Sequence, residues 1–164
     1  MRPQPEKPDS GQESVWSYPR PPVLEMTKRH VRIVVNGQVV AETRRPALVK
    51  ETSHPPVYFI PPEDVNGDLF RPSKKSSFCE WKGQAIYYDV VVGDRVIKNV
   101  AFSYPSPTER FEPVRNWISF YAGPMDEVTV NGEQVIPQEG GFYSGWITRD
   151  VVGPFKGGPA TSRW

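Results

Sequence analysis

The sequence has very few cysteines and histidines. Cys79 is the single cysteine, and His30 and His54 are the two histidines among 164 residues. One cysteine cannot form an internal disulfide, and these three side chains cannot complete a four-ligand zinc site of the usual kind. We therefore expect no structural metal and no other cofactor.

An excess of charge of one sign is missing, and so are long apolar runs. The 20 Lys and Arg residues oppose 19 Asp and Glu residues, and a net charge of +1 gives no field that would attract a polyanion. The longest mostly apolar stretches, such as residues 86–92, have strand length, well short of the roughly 20 residues of a membrane-spanning helix. Residues 1–12 are Pro-rich and charged, unlike a secretory signal. These features predict no nucleic-acid partner, no membrane partner and a cytoplasmic location.

Proline is abundant, with 19 residues, and glycine contributes 13 more. Because proline lacks a backbone donor and breaks helix interiors, this density leaves little room for helices longer than a few turns. The length suits one domain with one sizeable core. The composition predicts an all-β domain of short strands with one or two short helical turns.

The ends of the chain differ from its middle. Residues 1–14 have no apolar residue after Met1 and predict a mobile tail, whereas residues 15–155 predict the single β domain. Trp16 and Tyr18 beside a Pro-rich run predict a packed strap, with a PxxP-type ligand segment as the alternative. Residues 140–164 carry five large aromatic side chains, so we expect the end of the chain, residues 156–164, to wrap onto the body or onto a second subunit.

Two Asn-Gly pairs between β-branched runs are strong hairpin signals. Asn36-Gly37 separates residues 31–35 from 39–41, and Asn131-Gly132 separates residues 128–130 from 134–136. Both central residues of a type I′ turn need φ > 0, which Asn and Gly tolerate. The two hairpins predict antiparallel sheets, arranged as a two-sheet sandwich or barrel-like body.

The longest apolar alternation lies in the middle of the chain. Residues 84–92 and 96–104 are joined at Gly93-Asp94 and predict a central hairpin with apolar groups on both faces. Further strands are predicted at residues 47–50, 57–60 and 117–122, and short helical turns at residues 61–64 and 112–116.

Several motifs in one order resemble a known family. The resemblance is carried by Ala41–Arg45, Leu48–Glu51, Tyr58–Pro61, Cys79 with Lys82–Ala85, and Tyr87-Tyr88. Over roughly residues 15 to 155 the chain resembles the DUF427 family of uncharacterised bacterial proteins. The resemblance implies a β-tent fold, in which antiparallel sheets meet at an angle, and a family sometimes labelled nucleotidyltransferase-like.

The common signatures of catalysis are missing. The chain has no GxGxxG, no Walker A pattern, no HExxH, no G-x-S-x-G and no CxxC. A nucleotidyl transfer site needs carboxylates that clamp divalent ions, and no Gly-Ser followed by Asp-x-Asp occurs. No reaction is predicted by motif.

The polar residues within the family-like motifs form a candidate ligand site. Lys82 before Gly83 can present an ammonium to an anion, an arginine adds a bidentate fork, and a strand carboxylate needs a cationic partner when buried. Tyrosine rings offer flat faces to a planar ligand. The candidate set is Arg44, Arg45, Glu51, Tyr58, Ser73, Lys82 and Tyr87.

Three functions fit this set. The first is binding of a small anionic or heterocyclic ligand, which we expect. The second is an enzyme acting on a small anionic substrate in the same pocket, with Lys82 or Glu51 as acid or base. The third is a structural homodimer without a ligand, in which the charged residues are an ion-pair network. We expect Cys79 to be a small buried side chain. If Cys79 is instead a nucleophile, His54 is the plausible base that would activate it.

Overall fold

The computed structural model describes residues 2–164. Within these residues the chain consists mainly of short strands joined by loops. The strands are β1 (Glu13–Ser14), β2 (Val23–Met26), β3 (Val31–Val35), β4 (Gln38–Thr43), β5 (Ala47–Lys50), β6 (Val57–Phe59), β7 (Phe70–Cys79), β8 (Gly83–Val92), β9 (Arg95–Ser103), β10 (Ser119–Phe120), β11 (Glu127–Val130), β12 (Glu133–Gln134), β13 (Ile136–Pro137), β14 (Trp146–Ile147) and β15 (Val151–Val152). The helical turns are 3₁₀ helices at Val15–Ser17, Pro62–Asp64, Gly67–Leu69, Glu109–Val114 and Pro159–Thr161.

Three antiparallel sheets form the body. Their strand orders are β10-β9-β8-β7, β12-β11-β3-β4 and β2-β5-β6, and two smaller two-stranded pairs, β13-β14 and the parallel pair β1-β15, complete the pairing. The three-stranded sheet is joined to the first sheet by a pair of backbone hydrogen bonds between Ile60 and Ile118, each 2.8 Å long. The all-β prediction with antiparallel sheets is confirmed. Over residues 2–164 the sheets stay open, and none closes into a barrel.

Both Asn-Gly hairpins are confirmed. The turn between β3 and β4 has φ of 49° at Asn36 and 74° at Gly37, and the turn between β11 and β12 has 50° at Asn131 and 82° at Gly132. These left-handed values are the ones that the type I′ turn requires. Strand β11 then pairs with β3, so the two hairpins combine into one four-stranded sheet.

The predicted central hairpin is confirmed as β8 and β9, and β8 has β7 on its other side. Its two faces serve two separate clusters. Val90 and Val92 pack into the main core with residues of β3, β4 and β11, whereas Ala85 and Tyr87 pack into a second, aromatic cluster with Phe59 and other residues. Strand β8 therefore separates the main core from the aromatic cluster.

Five strands lie outside the predicted ones: the longer strands β2 and β7 and the two-residue strands β1, β14 and β15. Strand β7 is an edge strand with a polar sequence and a register shift between Pro72 and Ser76, and edge strands tolerate both proline and charge because one side needs no partner. Strand β2 pairs with β5 through Val23–Met26, directly after the Pro-rich run. The predicted strand at residues 117–122 shrinks to Ser119–Phe120, and five helical turns form where one or two were predicted.

The two ends of the chain meet each other. Strand β1 pairs with β15, the Glu6 backbone N–H donates to the Gly153 carbonyl at 2.8 Å, and the Trp16 and Trp164 rings contact edge to face at 5.6 Å. The predictions of a mobile tail at residues 1–14 and of a wrapping segment at residues 156–164 concern motion and assembly and stay predictions. No helix between residues 2 and 164 has the length and apolarity to cross a bilayer.

Candidate functional site

A cavity of about 380 Å³ lies beside the aromatic cluster, between the three-stranded sheet and the sheet that contains β8. Val49 and Val57 line it from the first sheet, and Tyr87 and Phe102 from the second. Its aromatic lining consists of Phe78, Trp81, Tyr87, Phe102, Tyr104, Tyr121, Phe142, Tyr143 and Trp164. We call this cavity the aromatic pocket.

Lys82 lies on the tight turn between β7 and β8, and this turn places its side chain in the lining of the pocket. The Lys82 N–H donates to the Cys79 carbonyl at 3.3 Å, which closes the turn. Gly83 has φ of +109°, and a Cβ at this position would lie 3.2 Å from the Ser106 carbonyl oxygen. The Thr108 N–H donates to the Lys82 carbonyl at 3.1 Å. Glycine is therefore required at residue 83, and the neighbouring loop holds the turn in place.

The Lys82 side chain is buried without a polar partner. The residue is 9% exposed, and its Nζ lies 5.7 Å from the Phe59 ring centroid and 5.6 Å from that of Tyr104. Among residues 2–164 no carboxylate lies within ion-pairing distance of this Nζ, and no acceptor forms a hydrogen bond with it. Burial lowers the pKa of the Lys82 amine below its ordinary value, against the weaker attraction of Cys79 and Glu51.

Lys50 shows what a buried lysine requires to stay charged. It is 6% exposed, yet its Nζ lies 3.0 Å from a Glu13 oxygen and 2.7 Å from a Glu25 oxygen. Although desolvation acts on it too, these hydrogen bonds and charges raise the pKa of Lys50 above its ordinary value. Two buried lysines in one chain thus shift in opposite directions because one has carboxylate partners and the other has none.

His54 lines the same pocket as a neutral imidazole. The Gln138 Oε1 accepts from the Gly145 N–H at 3.0 Å, so the Gln138 Nε2 is the end that meets His54 Nδ1 at 3.2 Å and donates to it. The proton of the ring therefore sits on Nε2, 3.7 Å from a Glu51 oxygen. Burial, together with the positive charges of Lys156, Arg20 and Lys82, lowers the pKa of His54 to about 3.

The charged side chains that line the pocket include three basic residues and two acidic ones. Arg20 Nε donates to Glu51 Oε2 at 3.2 Å, and Arg20 Nη2 donates to the Thr52 carbonyl at 2.8 Å. Lys156 Nζ lies 5.4 Å from the Tyr143 ring centroid and makes a long 3.4 Å contact with the Trp164 carbonyl. Arg20, Lys82 and Lys156 therefore face two acidic residues in the pocket lining, Glu51 and the exposed Glu80.

Three tyrosines place hydroxyls around the pocket. The Tyr87 hydroxyl bonds the Ser77 hydroxyl at 2.9 Å, and the Tyr121 hydroxyl donates to the Phe142 carbonyl at 2.8 Å. Burial raises the pKa of Tyr104 and of Tyr121, and neighbouring groups, chiefly Cys79 for Tyr104 and Tyr87 for Tyr121, add to this. Both phenols therefore stay protonated at neutral pH. The Tyr104 hydroxyl is available as a hydrogen-bond donor, whereas the Tyr121 proton is engaged by the Phe142 carbonyl.

Glu51, Lys82 and Tyr87 of the predicted set converge on the aromatic pocket. Arg45 instead pairs with Glu63, and its guanidinium lies 5.5 Å from the Trp117 ring centroid. Arg44 is exposed on the strand end next to it.

The two other members of the predicted set also lie elsewhere. Tyr58 is in the main core, stacked on Trp146 with ring centroids 4.7 Å apart, and its hydroxyl accepts from Arg29 at 2.9 Å. Ser73 is in the bulge of β7, where its hydroxyl bonds Asn99. The predicted convergence therefore holds for three of the seven residues, and the assignment of ligand contacts stays a prediction.

The predicted set lacks most of the pocket lining, including Arg20, His54, Tyr104, Tyr121 and Lys156. Arg20 and Lys156 belong to the end segments, which fold back over the body, so no local pattern could place them. His54 follows Ser53, whose φ of 72° is left-handed, and a Ser-His-Pro sequence gives no local signal for that conformation. Tyr104 ends one predicted strand and Tyr121 lies within another, so the signal within reach was their position on strands of the core.

We expect acid to destabilise this protein through His54. Because the pKa of His54 is about 3 in the folded chain and 6.5 in its ordinary state, the unfolded chain binds a proton between these values and the folded chain does not. The free energy of unfolding should fall by about 2–3 kcal/mol from this residue between pH 7 and pH 4.5. His54→Asn keeps an acceptor for Gln138 without a titrating group. Urea unfolding at both pH values should show that much less acid loss in the variant, and equal losses in the two proteins would contradict the assignment.

Ser53 combines two costs, and its removal should stabilise the protein. Its left-handed φ strains a residue with a Cβ, and its fully buried hydroxyl has no partner among residues 2–164. We expect Ser53→Gly to gain about 1 kcal/mol in the free energy of unfolding, after the greater chain entropy of unfolded glycine is subtracted. Ser53→Ala should gain less because it keeps the Cβ. Urea titration measures both, and a loss of stability in Ser53→Gly would show that the hydroxyl is needed.

The comparisons with known proteins agree with this picture at the level of the family. No curated protein matches the chain. Residues 23–131 match the family described as a domain of unknown function, DUF427. The match covers the strands from β2 to β11 and includes Glu51, Lys82, Tyr87 and Tyr104, whereas Arg20 and Lys156 lie outside it. With this match over most of its length, the chain belongs to the DUF427 family.

Proposed function

We propose that the aromatic pocket binds a small ligand that combines a planar ring with an anionic group. The observation that carries this proposal is the buried amine of Lys82, which faces the cavity without a hydrogen-bond partner among residues 2–164. Buried polar groups are almost always satisfied, and an unpaired one costs about 1–3 kcal/mol or more when charged. A carboxylate or phosphate oxygen of a ligand would supply both the acceptor and the opposite charge.

The charge balance of the lining favours an anion. Arg20 is already paired with Glu51, and His54 is neutral, which leaves Lys156, together with Lys82 when an anion keeps it protonated, against the exposed Glu80. Charge-assisted hydrogen bonds in a partly desolvated site are about twice as strong as neutral ones. An anionic group is thus better matched to this lining than a cation.

The aromatic side chains of the lining and the size of the cavity favour a ligand that contains a planar ring. Aromatic side chains from the sheet that contains β8, from the segments next to it and from the C-terminal segment surround the cavity. Offset or edge-to-face contacts with such rings contribute about 0.5–1.5 kcal/mol beyond burial of area. A volume of about 380 Å³ is within the range of cavities that hold small ligands. An unbranched metabolite would leave most of these rings without a partner.

Thermal unfolding with matched ligand pairs tests this function. The panel is benzoate, nicotinate and phenyl phosphate, each compared with a neutral analogue such as benzamide or nicotinamide. At about ten times its dissociation constant, an anionic ligand should raise the melting temperature by about 3–6 °C because it binds only the folded chain. The Lys82→Met variant should lose this shift, and Lys28→Met, which removes an exposed lysine outside the pocket, should keep it.

Two results would contradict the proposal. One is a shift that the neutral analogues match, since the cations would then have no role. The other is a shift that survives in Lys82→Met, since the ligand would then lie elsewhere.

A further inference from the structure

The environment of Lys82 favours a neutral amine, which is a nucleophile. Its Nζ is packed against the Phe59 and Tyr104 rings, and the turn that carries it is fixed by Gly83 and the neighbouring loop. Lysines desolvated in this way serve as Schiff-base residues, because the free amine and not the ammonium attacks carbonyl carbon. Lys50, equally buried but held by Glu13 and Glu25, has the opposite environment and remains an ammonium.

We propose that Lys82 forms an imine with an aldehyde or ketone ligand whose anionic group is held by Lys156, which lines the same pocket. This inference rests on the proposed function, because it names the class of ligand for the same site. With Lys82 bonded to the carbonyl carbon, the anionic group falls to Lys156, because Arg20 already pairs with Glu51.

The step balances without a further reagent. The lone pair of Lys82 Nζ forms a bond to the carbonyl carbon, the carbonyl π electrons move to its oxygen, and one amine proton transfers to that oxygen to give a carbinolamine. Loss of the second amine proton and departure of the oxygen as water leave the C=N bond. Nothing is oxidised or reduced, and one water is released for each imine formed.

The pocket holds groups that can move these protons. The Tyr104 phenol, whose ring lies next to Lys82 Nζ, keeps its proton at neutral pH because burial raises its pKa. The Glu51 carboxylate lines the same cavity and can accept one. Dehydration of a carbinolamine needs a proton donor at the departing oxygen, and general acids of this kind contribute typically 10²–10⁴-fold to rate.

Reductive trapping tests the inference on the whole chain. The probes are 4-carboxybenzaldehyde and the smaller glyoxylate, each incubated with the protein and cyanoborohydride at pH 7. The hydride converts an imine into a stable secondary amine, which peptide mapping by mass spectrometry assigns to a residue. We expect modification of Lys82 at least tenfold faster than of Lys28, Lys50 or Lys98, and a rate that levels off at lower pH than for the exposed lysines.

The internal comparison keeps the test valid whether or not a variant folds. Lys50 reports a buried lysine that is charged, and Lys28 and Lys98 report exposed ones, all within one sample. Lys82→Met should abolish the fast adduct. Adducts spread over the exposed lysines, with Lys82 unmodified or no faster than Lys28 for both probes, would overturn the inference.

Terephthalate separates the failure of this inference from the failure of the proposed function. It has the shape of 4-carboxybenzaldehyde with a carboxylate in place of the aldehyde, so it can bind but cannot form an imine. A Lys82-dependent thermal shift with terephthalate and no selective trapping would leave ligand binding standing and refute the imine. No thermal shift with terephthalate or with any anion of the earlier panel, and no trapping, would refute both.

Discussion

The candidate site of this protein depends on one buried amine, that of Lys82, which has no hydrogen-bond partner among residues 2–164. Lys82 lies on a turn that a glycine makes possible and that a neighbouring loop holds, so its side chain is kept against the aromatic cluster at the lining of the cavity. An ammonium in that position loses hydration and gains only two ring faces. The fold supplies the surplus stability elsewhere, in the core shared by β3, β4, β8 and β11. The proposed anionic ligand would remove this cost by supplying the missing partner.

The groups around Lys82 are arranged so that none of them neutralises it. Glu51 is engaged by Arg20, and His54 is fixed by Gln138 as a neutral ring with its proton directed at Glu51. The carboxylates that could have stabilised a buried ammonium are used at Lys50 instead. The two buried lysines therefore differ in carboxylate partners, and that difference is the observation on which the proposed ligand site rests.

Local patterns predicted much of the fold and little of the site. Asn36-Gly37 and Asn131-Gly132 determine their own turns. The apolar residues of β8 fall on both of its faces and so predict a strand that is covered on both sides. These elements therefore follow from short segments of sequence. Strand β7 is polar and bulged, and only its pairing with β8 makes it a strand. The pocket depends on long-range contacts: Gln138 orients His54 from 84 residues away, and the end segments bring Arg20 and Lys156. Motif order therefore grouped Glu51, Lys82 and Tyr87, which line the pocket, with Arg44, Arg45, Tyr58 and Ser73, which face other surroundings.

The most direct test of the account is the protonation state of Lys82 itself. Heteronuclear NMR of the lysine ¹³Cε and ¹⁵Nζ resonances, followed from neutral to alkaline pH and assigned with Lys82→Met, reports each amine separately. The account predicts that Lys82 loses its proton at a lower pH than the exposed lysines, while Lys50 keeps its proton to a higher pH. Titration of Lys82 together with the exposed lysines, near pH 10.4, would contradict it.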